Sequence, residues 1–171
     1  MHRDEISLES PIDVKIAWAE KRYHEVMGEL LGDREIAELL DRLKRAILAS
    51  HKEMAEAGVV KACRDCEERE GGSCCGAGLE NRYDGSLLLI NLLLGVKLPI
   101  QGYDPSGCFF LGEQGCLLMA RHVICVNYLC KKITDHIEAE KIAALQEKEG
   151  VELERLFLLN ERIKKIINTC G

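Results

Sequence analysis

Hydrophobic residues recur at helical spacing over the first third of the chain. One stripe covers residues 12–30 and a second covers residues 36–47, which predicts two amphipathic helices. Ser10-Pro11 is typical of a helix start, Gly32 of a helix end and Asp33 of the N-cap of the next helix. Gly58 marks the end of the second helix. Helices joined by so short a link are expected to pack antiparallel.

Helical spacing returns after the cysteine-rich middle of the chain. Ile133, Ile137 and the pair at 144–145 indicate one helix, which we expect to be interrupted at Gly150 before a last helix over residues 156–167.

The apolar stretch at residues 87–94 is shorter than the roughly 20 residues that a bilayer requires, and it contains Asn91. We therefore expect a buried core helix here, capped by Asp84 or Ser86.

The middle of the chain lacks a regular hydrophobic period. Residues 63–78 are rich in cysteine and in glycine, with Gly71, Gly72, Gly76 and Gly78. This composition predicts a loop whose backbone can fold around a bound group. Residues 108–111 and 116–118 flank a Gly-Glu-Gln-Gly segment and predict a short hairpin or a tight loop.

The pattern as a whole predicts a mainly α protein, with a helical bundle-like core around a loop-rich cysteine module and at most one short β-hairpin. We expect a single domain over residues 1–171. It comprises an N-terminal helical hairpin (1–60), a cysteine-rich metal-binding module (61–131) and C-terminal helices (132–171).

Charge and composition limit the cellular compartment and the classes of binding partner that we expect. The formal net charge of −6 and the mixed signs argue against nucleic-acid binding, and Lys131-Lys132 and Lys164-Lys165 are isolated basic pairs. The first residues are charged and lack the apolar segment of a signal peptide, so we expect a cytoplasmic protein without a membrane segment. In that reducing compartment, thiols persist as thiols or as metal ligands.

Cysteine use is heavy for a chain long enough to fold by hydrophobic burial alone. The chain has nine cysteines. Eight are concentrated in the middle and are our candidate metal ligands: Cys63, Cys66, Cys74, Cys75, Cys108, Cys116, Cys125 and Cys130. The ninth, Cys170, is distant in sequence and is left out of the site.

Three spacings among these cysteines carry structural information. The Cys63-x2-Cys66 pair can direct two sulfurs inward from one turn, as in zinc and iron–sulfur sites. Neighbours in extended chain point to opposite sides, so Cys74 and Cys75 are not expected to share one ion; one faces the core, or each serves a different site. Cys125 and Cys130 would lie roughly 140° apart on a regular helix, so the helix must break if both are ligands.

This donor set favours thiolate coordination of Zn²⁺ or a [4Fe–4S] cluster over hard cations, without deciding between the two. The first-choice ligands are Cys63, Cys66 and one of the Cys74-Cys75 pair, completed from the four later cysteines. Buried free thiols are the principal alternative, and structural disulfides rank third.

The order of these motifs resembles that of a known family. Cys63-x2-Cys66, Cys74-Cys75, the Cys108-Phe109-Phe110-Leu111 segment, Gly115-Cys116, Arg121, Cys125 and Cys130 are similar in order and spacing to the CxxCxxCC family of zinc- or iron-chelating domains. That family includes small bacterial proteins and a domain of the flagellin lysine N-methylase. The resemblance covers roughly the central two-fifths of the chain and implies metal binding by these cysteines.

Three functions follow as hypotheses. The first is a metal-binding protein whose site is structural or serves partner binding or metal handling, with a protein as the expected partner. The second is an iron–sulfur redox or protein-methylation-related component. The third is a thiol–disulfide switch at Cys63-x2-Cys66, which requires a low-pKa thiol. No catalytic motif is visible, and the sequence leaves open whether the protein is an enzyme. We expect His122 to be an ordinary hydrogen-bonded residue and Arg121 to have a structural role.

Overall fold

The protein is described by a computed structural model, which covers residues 6–71 and 74–169. Gly72 and Cys170, both considered above, lie outside the described residues. The helices are α1 (Ile12–Gly32), α2 (Arg34–Glu56), α3 (Val59–Glu70), α4 (Gly85–Leu93), α5 (Val123–Asn127), α6 (Lys131–His136) and α7 (Ala139–Thr169). A 3₁₀ turn covers Leu79–Arg82. Strands β1 (Leu111–Gly112) and β2 (Gly115–Cys116) form a two-stranded antiparallel hairpin, with Leu111 opposite Cys116. The mainly α fold with one short hairpin is confirmed.

The boundaries of the first two helices follow the sequence signals. α1 ends at Gly32, and the Asp33 carboxylate caps α2 by accepting a hydrogen bond from the Ile36 amide at 2.9 Å. α1 begins at Ile12 with Pro11 in the cap position, one residue later than expected. α1 and α2 contact each other, but α2 packs mainly along α7 and α1 mainly along α4.

Two predictions about helices were wrong. Residues 63–70, expected as a loop, belong to α3, because this segment is rich in good helix formers and ends only where Gly71 adopts a left-handed conformation (φ 61°). The expected interruption at Gly150 is absent, since α7 is continuous through it. The break instead falls at Ile137, whose backbone is extended. One helical glycine costs about 1 kcal/mol, which packing of α7 against α2 outweighs.

Among the described residues, three apolar clusters form the interior. The largest joins α1, α2, α4 and α7, with Leu30, Leu43, Ile47, Leu89 and Leu159 at its centre. The second packs α1 and α4 against the cysteine module: Ile16, Ala19, Tyr83, Leu88, Leu98, Cys108, Phe110 and Leu118. The third is small and lies beside α3 and α6: Ala57, Val59, Ile133 and Leu145. No helix among the described residues combines the length and the apolar character needed to cross a membrane.

Asn91, a fully buried residue of α4, fixes the segment that leads into the second half of the module. Its amide nitrogen donates to the carbonyls of Leu87 (2.9 Å) and Ala120 (2.8 Å). Its carbonyl oxygen accepts from the amides of Met119 (2.9 Å) and Ala120 (3.0 Å). One side chain therefore satisfies four hydrogen bonds and ties residues 119–120 to α4.

Replacing Asn91 by leucine, which has a similar volume, should remove this tie and leave buried backbone groups unpaired. Each unpaired group costs about 1–3 kcal/mol, so we expect a loss of about 3–5 kcal/mol in the free energy of unfolding, measured by urea denaturation. The exposed Gln146→Leu variant of α7 serves as the control and should change stability by less than about 0.5 kcal/mol. Equal stability of N91L and the wild type would contradict the assigned role.

Candidate metal centre

Backbone pairing between two distant segments organises the cysteine module. Gly76 and Gly107 form an antiparallel bridge, and the Cys108 amide donates to the Cys75 carbonyl at 2.7 Å. The Ala77 amide donates to the Ser106 carbonyl at 3.2 Å. This pairing places Cys75 beside Cys108 and fixes the course of the chain on both sides.

One set of four thiols gathers where α3 meets α6, and we call it the first thiol group: Cys63, Cys66, Cys74 and Cys130. Cys63 and Cys66 lie three residues apart on α3 and so share a face. α3 contacts α6, whose N-cap residue is Cys130. The thiols of Cys74 and Cys130 share a hydrogen bond.

Electrostatic effects on the pKa values of these thiols indicate that their sulfurs lie near one another and that Cys75 also lies near Cys63. Burial is the largest cause that raises the pKa of the Cys63 thiol, followed by the charges of Cys130, Cys74, Cys75 and Cys66. Burial likewise raises the pKa of Cys74, followed by Cys130 and Cys66. The ammonium of Lys132 lies 3.8 Å from the Cys66 sulfur and can offset part of the negative charge of such a group.

The other four thiols lie around the hairpin and form the second thiol group: Cys75, Cys108, Cys116 and Cys125. Burial raises the pKa of Cys108 to about 11, with further contributions from Glu80, Cys116 and Cys75. Cys116 is exposed as a residue because β2 lies at the surface. Burial nevertheless is the largest cause that raises its thiol pKa, and the charges of Cys125 and Cys75 add to it.

Hydrogen-bond donors surround the second thiol group. The backbone amide of Phe110 donates to the Cys108 sulfur and that of Leu118 to the Cys116 sulfur, and each interaction lowers the pKa of the thiol that it contacts. The Tyr83 hydroxyl donates to the Cys125 sulfur at 3.6 Å. Donors of this kind stabilise thiolates and orient metal ligands.

Tyr83 and His122 build the wall beside Cys125. Tyr83 is buried, which raises the pKa of its phenol far above the usual range, so the hydroxyl stays protonated. That hydroxyl accepts a hydrogen bond from the His122 amide at 3.1 Å. The His122 ring accepts from the Ile124 amide at 3.2 Å and caps α5. These contacts agree with the ordinary hydrogen-bonding role expected for His122.

The structure separates the two members of each cysteine pair whose spacing argued against joint coordination of one ion, Cys74-Cys75 and Cys125/Cys130. Cys74 is exposed beside Cys130, whereas Cys75 packs against the second apolar cluster. Cys125 lies in α5, which ends at Asn127. Tyr128 is extended, and Cys130 is the N-cap residue of α6. Each pair therefore contributes one cysteine to each thiol group.

The eight thiols lie near one another, but in their present positions they do not form the coordination shell of a metal ion. Within the described ranges 6–71 and 74–169, none of the eight forms a disulfide. In the same ranges, no group of three or more His, Cys, Asp or Glu side chains is placed to hold a metal ion. The donor set of each thiol group fits a tetrahedral thiolate site in number and kind, but its sulfurs must draw together to coordinate an ion.

A buried polar cluster, which the sequence analysis missed, lies behind the second thiol group. The guanidinium of Arg121 affects the pKa values of Cys116, His51, Glu149 and Glu152. Glu149 is fully buried, and neither of its carboxylate oxygens has a hydrogen-bond partner. Burial raises the pKa of Glu149 to about 7, and it lowers the pKa of His51 to about 4. Only the unusual positions of Glu149 and Glu152 within an apolar helix face could have signalled this cluster.

A cavity of about 1060 Å³ opens on the other side of Arg121 and His122, between the 3₁₀ turn and α7. Its apolar wall includes Leu87, Ile90 and Leu156. None of the eight cysteines lines it, so the cavity and the thiol groups are separate features.

The fold and these sites were compared with known proteins. No family model matches the chain, and neither the curated proteins nor the solved structures contain a significant match. Membership of the CxxCxxCC family therefore stays a prediction from the motifs.

The Glu149→Gln variant tests the buried cluster. The folded state holds the Glu149 proton more tightly than the unfolded chain, whose carboxyl has a pKa near 4.5. This carboxyl therefore costs stability progressively as the pH rises from 4.5 to about 7. Relative to E149Q, the wild type should lose up to about 3 kcal/mol of unfolding free energy over that window.

Urea denaturation at closely spaced pH values measures this difference. The exposed neighbour Glu147 provides the matched control, since E147Q should follow the wild type at every pH. A difference between the wild type and E149Q that does not change with pH would contradict the buried, raised-pKa carboxyl.

Proposed function

We propose that this protein binds a thiophilic metal, as Zn²⁺ or as an iron–sulfur cluster, through the thiolates of its two cysteine groups. The observation that carries the proposal is the assembly of eight cysteines from four separate segments into two sets of four. Free buried cysteines that act only as small apolar residues have no reason to assemble in fours, and half-exposed ones gain little from burial.

The surroundings of the thiols support this proposal. The pKa values of the Cys63, Cys74, Cys108 and Cys116 thiols are all raised, mainly by burial. A bound cation removes the mutual repulsion of the thiolates and compensates for their burial, because a coordinated thiol is deprotonated by the metal. The donors from Phe110, Leu118 and Tyr83 then help to hold the thiolates of the second group in place.

The chemistry that a metal would supply depends on its kind. Zn²⁺ held by four thiolates is redox-inactive and closed, so it would order the module, whereas an iron–sulfur cluster would add an electron-transfer site. In either case the sulfurs of each group would have to lie closer together than they do in this structure in order to coordinate an ion.

A thiol–disulfide switch at Cys63-x2-Cys66 receives less support. Such a switch needs a thiol of lowered pKa, but the pKa of Cys63 is raised. Reversible oxidation therefore stays a secondary hypothesis for these residues.

The proposed setting is the cytoplasm, where reducing conditions keep the thiolates available for a metal. A protein is the proposed partner. The charged surface of α3 beside the first thiol group, with Lys61, Arg64, Glu67 and Glu68 exposed, is a suitable polar contact surface.

Metal analysis of anaerobically purified protein tests the proposal. We expect about two equivalents of zinc in a colourless protein, or iron and sulfide in a brown one. The double variant Cys63→Ser/Cys66→Ser should lose about half of the metal while keeping the helical circular-dichroism spectrum. Acidification should release metal, because protons compete for the thiolates.

The ninth cysteine offers a matched control, since Cys170→Ser is expected to keep the full metal content. Protein that folds but contains no zinc, iron or other thiophilic metal, even after anaerobic reconstitution, would rule out the proposed function.

A further inference from the structure

We infer that the two thiol groups differ in kinetics: the first is an exchangeable metal site open to an incoming thiol or chelator, and the second is a slowly exchanging structural site. This inference rests on the proposed function and adds to it the way in which metal enters and leaves the protein. It follows from differences in exposure, packing and hydrogen bonding between the two groups.

The first thiol group lies at the surface. Cys63 and Cys74 are exposed, and Cys66 and Cys130 are half-buried. Its support is the smallest of the three described apolar clusters, against which Cys130 packs. An external ligand can therefore approach a metal held here and replace one protein thiolate at a time, without opening the main core.

The second thiol group is packed more deeply than the first, although Cys116 is exposed as a residue at the hairpin. Cys108 is only 6% exposed and belongs to the second apolar cluster, and Cys75 and Cys125 pack against that cluster. Tyr83 and Phe110 cover this region in an edge-to-face contact with ring centroids 5.1 Å apart. Three of the four thiols, those of Cys75, Cys108 and Cys125, are therefore held by core packing, and ligand exchange at this group would have to disturb that packing.

Hydrogen bonding strengthens the difference. In the second group, backbone amides of the hairpin region and the Tyr83 hydroxyl already point at three of the four sulfurs. Such surrounding donors typically change metal affinity by 10- to 100-fold. In the first group, the ammonium of Lys132, at the end of an exposed, flexible side chain, lies 3.8 Å from the Cys66 sulfur.

Two structural features explain why neighbouring cysteines belong to different thiol groups. The Cys75–Cys108 backbone hydrogen bond holds Cys75 on the core side while Cys74 stays exposed. The extended residue Tyr128 separates Cys125 from Cys130. Because Cys74 and Cys75 are adjacent in sequence, the two thiol groups are neighbours in the structure.

Zinc release to an excess of a chromogenic chelator tests the inference on the reduced, full-length protein reconstituted with Zn²⁺. We expect two zinc ions per chain and two kinetic phases of equal amplitude, whose rates differ by at least about tenfold. Cys63→Ser should abolish the fast phase and leave the slow phase unchanged. Tyr83→Phe, which removes one donor and keeps the ring, should accelerate only the slow phase.

Two outcomes would overturn the inference while leaving the proposed function intact: release of both ions in a single phase, or loss of the slow phase in C63S. Binding of only one zinc ion would overturn it as well. Failure of the reconstituted wild type to bind any zinc or other thiophilic metal would instead remove the proposed function itself.

Discussion

The hydrogen bond from the Cys108 amide to the Cys75 carbonyl, with the adjoining Gly76–Gly107 bridge, is the interaction on which the cysteine module depends. It joins two segments that are far apart in sequence and fixes the orientation of the vicinal pair. Cys75 is held against the core, and Cys74 is left beside Cys130. Without this pairing, the eight cysteines would have no reason to divide into two sets.

The helices hold the other half of the module in position. Asn91 of α4 binds residues 119–120 through four hydrogen bonds, and the chain continues from there to Arg121 and Cys125. The charge of the Arg121 guanidinium lowers the pKa of the Cys116 thiol and those of the buried carboxyls of α7. Buried charges of this kind are costly when a partner is removed. The position of the second thiol group is thus coupled to the interior of the helical bundle, whereas the first group depends on the lighter contact between α3 and α6.

The sequence predicted much of the fold because its strongest signals are local. The Gly32-Asp33 boundary, the Asp84 cap of α4 and the hairpin at residues 111–116 all rest on contacts between residues close in the chain. The two errors arose where a local signal was weaker than tertiary packing. Gly150 is tolerated because α7 packs along α2, and the polar run of α3 has helix propensity that its lack of hydrophobic period concealed.

For the site, the sequence identified the eight cysteines. It also indicated that Cys74 and Cys75 should not share one ion, and that the helix must break between Cys125 and Cys130 if both are ligands. It could not assign each cysteine to a group, because that assignment depends on the long-range pairing of residues 75–77 with 106–108. It also missed the buried cluster of Arg121, Glu149 and Glu152, since charged residues on a helix are ordinarily exposed. Burial of these groups is a property of the assembled fold.

X-ray absorption spectroscopy of the metal-loaded protein tests the central claim most directly, because it reports the atoms bound to the metal. If the thiol groups close as proposed, a zinc-loaded sample will show four sulfur neighbours at about 2.3 Å and no lighter first-shell atom. A first shell dominated by nitrogen or oxygen at about 2.0–2.1 Å would contradict the assignment of these cysteines as the ligands.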